Sequence, residues 1–414
     1  MPLTVTGATL DGTVVGLRAE GGTITALGPT VAPEPGDEVL DASGLALVPG
    51  LVNGHTHAAM TLLRGYGDDL PLQTWLQDCI WPAEARLTAE DIYWGTRLAC
   101  VEMIRRGTTR FWDMYFHAPE VARAVVDSGI RASVSQVVLE VPGAPAAVGI
   151  DAAPDGLDAL AAVDARVTPC LGPHSIYAVG EESLRTIAEL SATRGVPVQI
   201  HLSETEDEVH SCVEAHGVRP VPYLDRVGLL TERTVLAHTV WLDDDEVELI
   251  AARGATVVTN PVSNMKLAVG RAFPYAAFAA ANVPIGIGTD GAASNNSLDV
   301  LEDLKVLALL QKHTSRDPAL LPANDAWRIA TGHNAPVLGG TPVAEGEPAD
   351  FVLVDPASLG STPGPLVENL VYGGGSHAVR TVVVDGRIVM RDGVIEGADE
   401  VHARALECAR RVRG

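Results

Sequence analysis

The chain has 414 residues, 47% apolar and 20% charged, which fits a compact protein larger than one small domain. Its net charge of −24 repels phosphate backbones and disfavours a nucleic-acid partner, and no run of 18 apolar residues is unbroken, which disfavours a membrane partner. The opening MPLTVTGATLDG lacks the basic and apolar regions of a secretory leader, and the five scattered cysteines form no CxxC pair, so the expectation is a cytoplasmic protein without a cysteine-based zinc site.

The first fifty residues read as short strands at 4–10, 13–18 and 23–27, separated by Asp11-Gly12 and Gly21-Gly22, which suit hairpin turns. From about residue 45 to 330 the pattern changes. Short β-branched runs at 46–53, 109–113, 132–139, 167–171, 198–202, 234–237, 256–259 and 284–288 alternate with helical stretches. Helical patterns at 90–106, 119–128, 181–194 and 243–253 are followed by Gly107, Gly129, Gly195 and Gly254, residues suited to a left-handed C-terminal cap. Eight strands alternating with helices predict a (β/α)₈ barrel. Strand-like runs return at 351–355, 379–384 and 387–390, with Asp385-Gly386 as a turn, so the two chain ends are expected to share one small sheet domain.

Barrel enzymes carry their chemistry at the C-terminal ends of the strands. Here those ends hold His55-Thr56-His57, Asp113, His174, His201, Glu204, His238 and Asp290. Residues two apart in an extended strand point the same way, so the imidazoles of His55 and His57 face one point. Neutral imidazole binds zinc and neighbouring divalent metals. Two polar loop histidines are the bland alternative, but His201, His238 and Asp290 at other strand ends favour a metal. Hydrolysis also needs a base and an acid. Asp290 has one oxygen for a metal and another for a proton from water. His238 can orient the nucleophile, and Glu204 can carry a proton to a substrate ring nitrogen. Glu206, Asp207 and Glu208 read as acids complementing a helix N-terminus.

The segments PGLVNGHTHAAMTLLRG, GPHSIYAV, HLSET, LAHTVWLD, NPVSNMKLAVG and GTDGAASNN resemble the amidohydrolase superfamily and, within it, the 5′-methylthioadenosine/S-adenosylhomocysteine deaminases. The resemblance spans nearly the whole chain. It implies an α/β fold, a (β/α)₈ TIM-like barrel over 51–335 with a small β-sandwich formed from 1–50 and 336–414. It implies one divalent ion per chain held by His55, His57, His201 and Asp290, with zinc placed first and iron(II) or manganese as alternatives. No lysine stands at a barrel-strand end to bridge a second ion. Glu204, His238 and Asp290 are the implied catalytic residues. A metal-activated water attacks C6 of an adenine ring, Glu204 protonates N1, and ammonia leaves.

The implied partner is a small-molecule nucleoside, touched by Glu204, by Trp75 as an aromatic wall, by Glu84 as a ribose-hydroxyl acceptor, and by His174. Read without the resemblance, Trp75 is core packing and Glu84 a surface ion pair; for His174 a structural histidine is the lesser alternative. Members acting on S-adenosylhomocysteine supply arginines from the third strand end and the next loop. Here those places hold Gln136 and a 140–149 loop without arginine, with Glu140 nearby. A carboxylate tail is usually read by a bidentate arginine, so 5′-methylthioadenosine, adenosine or another neutral nucleoside is expected. A chlorohydrolase or aminohydrolase of triazine-like or other heterocyclic rings is the alternative. The apolar 75–81 region leaves a homo-oligomer open.

Overall fold

The computed structural model describes residues 1–141, 149–358, 360, 362–373 and 375–414. The N-terminal strands are β1 (Leu3–Leu10), β2 (Thr13–Glu20), β3 (Thr23–Gly28), β4 (Glu38–Asp41) and β5 (Ala46–Pro49). The chain then enters a parallel sheet: β6 (Leu51–Thr56), β7 (Thr108–Asp113), β8 (Arg131–Val138), β9 (Val167–Pro173), β10 (Val198–Leu202), β11 (Thr234–His238), β12 (Thr256–Thr259) and β13 (Ile285–Ile287). It returns to the first sheet with β14 (Phe351–Val354), β15 (Val379–Val384) and β16 (Arg387–Met390).

The parallel sheet runs in sequence order from β6 to β13 and curls into a nearly closed barrel. Its seam is fastened beside the site: Asp290 N donates to His55 O at 3.0 Å, and Asn53 Nδ2 donates to Thr289 Oγ1 at 2.8 Å. The other sheet has the order β16-β15-β14-β5-β1-β2-β3, with β4 on β1, and joins the two chain ends as expected. Asp11-Gly12 and Asp385-Gly386 turn its hairpins with positive φ at both residues, the requirement of a tight twisted turn. Leu17, Ile24, Leu47, Phe351 and Val383 form its core. Arg131, at the start of β8, binds Asp350 at 2.7 Å and Asp385 at 2.8 Å, tying the barrel to this sheet.

One expected strand divides. The run 46–53 is β5 in the terminal sheet and β6 in the barrel, broken at Gly50. A Cβ on Gly50 would lie 2.0 Å from Thr109 Oγ1, so only glycine lets the chain pass there. Helix boundaries follow their caps. Thr88 with Asp91 and Asp243 with Glu246 form capping boxes, and Gly129, Gly195 and Gly254 take left-handed caps. The β-rich reading of the C-terminus overlooked a helix, Ala398–Arg413. It does not join the sheet; it packs on the barrel helix Ala89–Arg105, and Arg413 Nε donates to Leu62 O at 2.9 Å. Among the described residues no helix is long and apolar enough to cross a membrane.

Candidate active site

The expected residues converge at the C-terminal mouth of the barrel. His55 lies on β6, with His57 just beyond it, His201 on β10, His238 at the end of β11 and Asp290 just past β13. The ligating atoms of His55, His57, His201 and Asp290 all lie within 4.8 Å of one another. His57 Nε2 is 3.1 Å and His55 Nε2 3.4 Å from Asp290 Oδ1, and His201 Nε2 is 3.2 Å from His57 Nε2. Bonds of about 2.0–2.1 Å in a tetrahedral array leave ligand atoms roughly 3.3 Å apart, close to these separations.

The barrel frame sets the histidine tautomers. His55 Nδ1 meets Gln199 Oε1 at 2.5 Å, His57 Nδ1 meets Met114 O at 2.7 Å, and His201 Nδ1 meets His174 O at 2.6 Å. Each oxygen is an acceptor, so each Nδ1 carries the proton and each Nε2 keeps its lone pair for the shared point. His55 Nε2 and Asp290 Oδ1 are buried with no hydrogen-bond partner. Buried lone pairs facing one another are costly unless a cation sits among them, and this donor set fits one divalent ion. The Asp290 carboxylate favours positive charge at this shared point, whether a metal ion or a proton. Burial opposes a cation on His57, yet the facing carboxylate more than offsets this and lifts the imidazole to about 9. Burial likewise opposes the Asp290 anion, but the facing His55 and His57 imidazoles hold it well below the usual carboxylate range.

Asp290 Oδ2 accepts the hydroxyls of Ser263 and Ser294, both at 2.7 Å. The oxygen expected to await a proton is therefore occupied, and Oδ1 alone faces the cluster. His238 Nδ1 donates to Asn264 Oδ1 at 2.8 Å and lies 3.7 Å from Glu204 Oε1. His238 and Asp290 both adopt left-handed backbone, at φ 72° and 60°. Such conformations cost about 1–3 kcal/mol each and persist where surrounding contacts enforce them. Burial, with a smaller contribution from Asp290, pushes the Glu204 carboxyl up to about 8.

These groups line a cavity of about 220 Å³. Trp75, Glu84 and His174 line it too, so every expected site residue borders one pocket except His55, which is fully buried beside it. Glu84 is not a surface ion pair. It is buried, accepts the Tyr115 hydroxyl at 2.7 Å, and is raised to about 7 by burial against the opposing pull of that bond. Trp75 is held by its indole N–H on Tyr66 O at 3.1 Å. The wall carrying these residues is made of short pieces: a helix Leu72–Thr74, a π-turn Trp75–Ile80 and a helix Trp81–Glu84. Leu76, Phe116, Val137 and Leu139 complete an apolar flank, and no lysine or arginine is among the described residues lining the cavity.

Two expectations about the tail-binding region change. Gln136 does not face the pocket; it packs against Gly156 on the outer side of β8, while its neighbour Val137 faces in. Strand alternation accounts for this. Glu140 is engaged as a helix cap, accepting Gly180 N at 2.8 Å and Ser183 Oγ at 2.6 Å. Residues 142–148 of the arginine-free loop lie outside the described residues. Sequence reasoning also missed Tyr115, for which no local signal exists, and Gln199, whose inward position follows from alternation with His201. It read Glu208 as an acid complementing a helix N-terminus; the residue does stand in the first helical turn, but it is buried.

Barrel, sandwich and cluster together define a metal-dependent hydrolase architecture, and comparison with known proteins agrees. The amidohydrolase family matches residues 46–389, and the chain belongs to that family. It is 47% identical over 380 residues to a 5′-deoxyadenosine deaminase of Methanoregula boonei, covering 90% of this chain and 86% of the relative. It is 42% identical over 405 residues to a 5-methylthioadenosine/S-adenosylhomocysteine deaminase of Archaeoglobus fulgidus, covering 96% and 95%. Among solved structures, an adenosine deaminase from Xanthomonas campestris with bound zinc superposes with a TM-score of 0.93 at 34% identity, covering 99% of this chain and 98% of that one. Family and cluster together support a divalent metal.

Proposed function

We propose that this protein hydrolytically deaminates adenine nucleosides bearing a neutral 5′ group, such as 5′-methylthioadenosine, to the inosine analogue and ammonia. The observation that carries the reading is the single cavity joining the His/Asp cluster, the Glu204–His238 pair and the buried Glu84–Tyr115 pair. A divalent ion held by His55, His57, His201 and Asp290, which we assign as zinc, supplies a nucleophile at neutral pH by acidifying water. His238, with Nδ1–H fixed on Asn264, offers Nε2 as an acceptor for a proton of the attacking water, and Asp290 Oδ1 is the carboxylate oxygen left open to the cluster. Glu204, raised to about 8, carries a proton at neutral pH and donates it to N1 as C6 becomes tetrahedral. The new C6 hydroxyl gives its proton to the amine, which leaves as ammonia as the C6 carbonyl forms, and the proton taken up by His238 restores Glu204, 3.7 Å away. Glu84 accepts ribose hydroxyls, Trp75 flanks the ring, and His174 lines the same pocket.

The absence of arginine and lysine among the described lining residues supports a neutral 5′ group, because a buried carboxylate without a cationic partner costs several kcal/mol. The five free cysteines suit a cytoplasmic enzyme. Ammonia release from a purine panel tests the assignment. The kcat/KM for 5′-methylthioadenosine is expected to exceed that for S-adenosylhomocysteine. A ratio below one overturns the 5′ selectivity. Turnover of halogenated or amino-substituted rings without any adenine nucleoside moves the protein to heterocycle hydrolysis.

A further inference from the structure

Three acids open the helix Glu206–His216, and they do not behave alike. Glu206 and Asp207 are exposed; Glu208 is buried. Thr205 caps this helix, its Oγ1 accepting Glu208 N at 3.2 Å. In a capping box the acid at this position reaches back to the N–H of the capping residue. Glu208 reaches further, past Thr205. Its Oε1 accepts Ser203 N at 2.9 Å and its Oε2 accepts Glu204 N at 2.8 Å. A helix-dipole acid needs neither burial nor these two bonds.

The backbone it grips is bent. Ser203 has φ 52°, a left-handed conformation unusual for a non-glycine residue. The bend presents two successive amides to one carboxyl group, the arrangement of an anion-binding nest; burial pushes Glu208 up to about 8, and the two N–H donors, both taken by its oxygens, pull the other way and favour the anion. On its other side the same peptide is tied down: Ser203 O accepts Val240 N at 3.0 Å and Trp241 N at 2.8 Å. That segment follows His238. The Ser203 peptide thus registers Glu204 against His238, and Glu208 closes the grip from below.

We propose that Glu208 is a positioning residue, whose carboxylate holds the Ser203–Glu204 backbone in the bend that aims Glu204 into the pocket. The inference rests on reading Glu204 as the proton shuttle. Glu208→Gln keeps the shape but leaves one acceptor oxygen, and its amide hydrogens oppose the second backbone N–H. In the otherwise intact, metal-loaded protein it should lower kcat for 5′-methylthioadenosine by about 10- to 100-fold. KM should stay within about threefold and the metal content unchanged. In the Glu204→Gln background the same change should lower kcat by less than about twofold, because its route runs through Glu204. Equal losses in both backgrounds, or none in either, overturn the proposal. Amide hydrogen exchange gives a second reading: Glu208→Ala should speed exchange at Ser203 and Glu204 but not in β11, and unchanged protection there overturns it. If the wild type deaminates no adenine nucleoside, the proposed activity fails, while the exchange measurement still decides whether Glu208 holds this bend.

Discussion

On the metal side of the cavity, His55 and His201 lie on barrel strands with His57 directly beyond, and all three direct Nδ1 at an oxygen of the barrel frame. On the facing side, Trp75 and Glu84 hang from three helical pieces of three, six and four residues. Among the described residues, only the Tyr66 carbonyl and the Tyr115 hydroxyl hydrogen-bond those two side chains. The first side is placed by a sheet that cannot shift a residue without turning its side chains over. The second is a run of short helical turns outside the sheet, whose Trp75, Ile80 and Ala83 share one apolar cluster with the helix Ala89–Arg105. On the proposed function, reaction type and substrate choice are expected to rest on separable parts of the molecule.

The largest effect should come from the frame. His55→Ala or His57→Ala is expected to abolish metal binding and to lower turnover by more than about 10⁴-fold, read by elemental analysis and ammonia release. Full activity after exhaustive chelation would remove the metal from the reaction. Next, Glu204→Gln should retain the ion yet lose about 10²- to 10⁴-fold in kcat, because an amide cannot shuttle a proton. A near-wild-type rate would exclude Glu204.

Smaller effects should come from the wall. Glu84→Ala is expected to lower kcat/KM for ribosides by about 10- to 100-fold and to leave any turnover of free adenine unchanged. If that variant also loses its metal, the two sides are not separable. The smallest effect is a pH dependence. With Glu84 raised to about 7, its carboxyl is neutral below that pH and ionised above it. The anion is the stronger acceptor of ribose hydroxyls, so KM for ribosides should fall a few-fold as pH rises from about 6 to 8. Tyr115 donates to the anion and so lowers this pKa. Tyr115→Phe should therefore move the step to higher pH; movement to lower pH would show that the hydroxyl is not what steadies the carboxylate.

The same contrast explains what could be read from the chain before its fold was known. His55 and His57 are two apart on one strand, and His201, His238 and Asp290 fall where β-branched runs stop, so periodicity alone gathered them. The hairpins were equally plain, because Asp-Gly pairs fix turn chemistry locally. Glu84 and Trp75 were identifiable only through family resemblance. Nothing local says that Glu84 is buried, since its partner Tyr115 is 31 positions away in the loop after β7. The burial of Glu208 was missed because an acid three residues after a capping threonine looks the same whether exposed or folded inward. The C-terminal helix went unnoticed because its buried residues, Val401, Ala405 and Val412, make a sparse stripe among charges. Gly50 was hidden inside a continuous apolar run, since a change of sheet leaves no mark on hydropathy.

That change of sheet has a mechanical consequence. β5 and β6 are separated by Gly50 alone, and His55 lies five residues beyond it. Drawing the sandwich away from the barrel loads β6 before any other strand. An ion held by His55 and His57 at one end of β6, by Asp290 beside it after β13 and by His201 across the barrel would act as a rivet against that load. Metal binding should accordingly strengthen the sandwich, although none of its residues touches the ion.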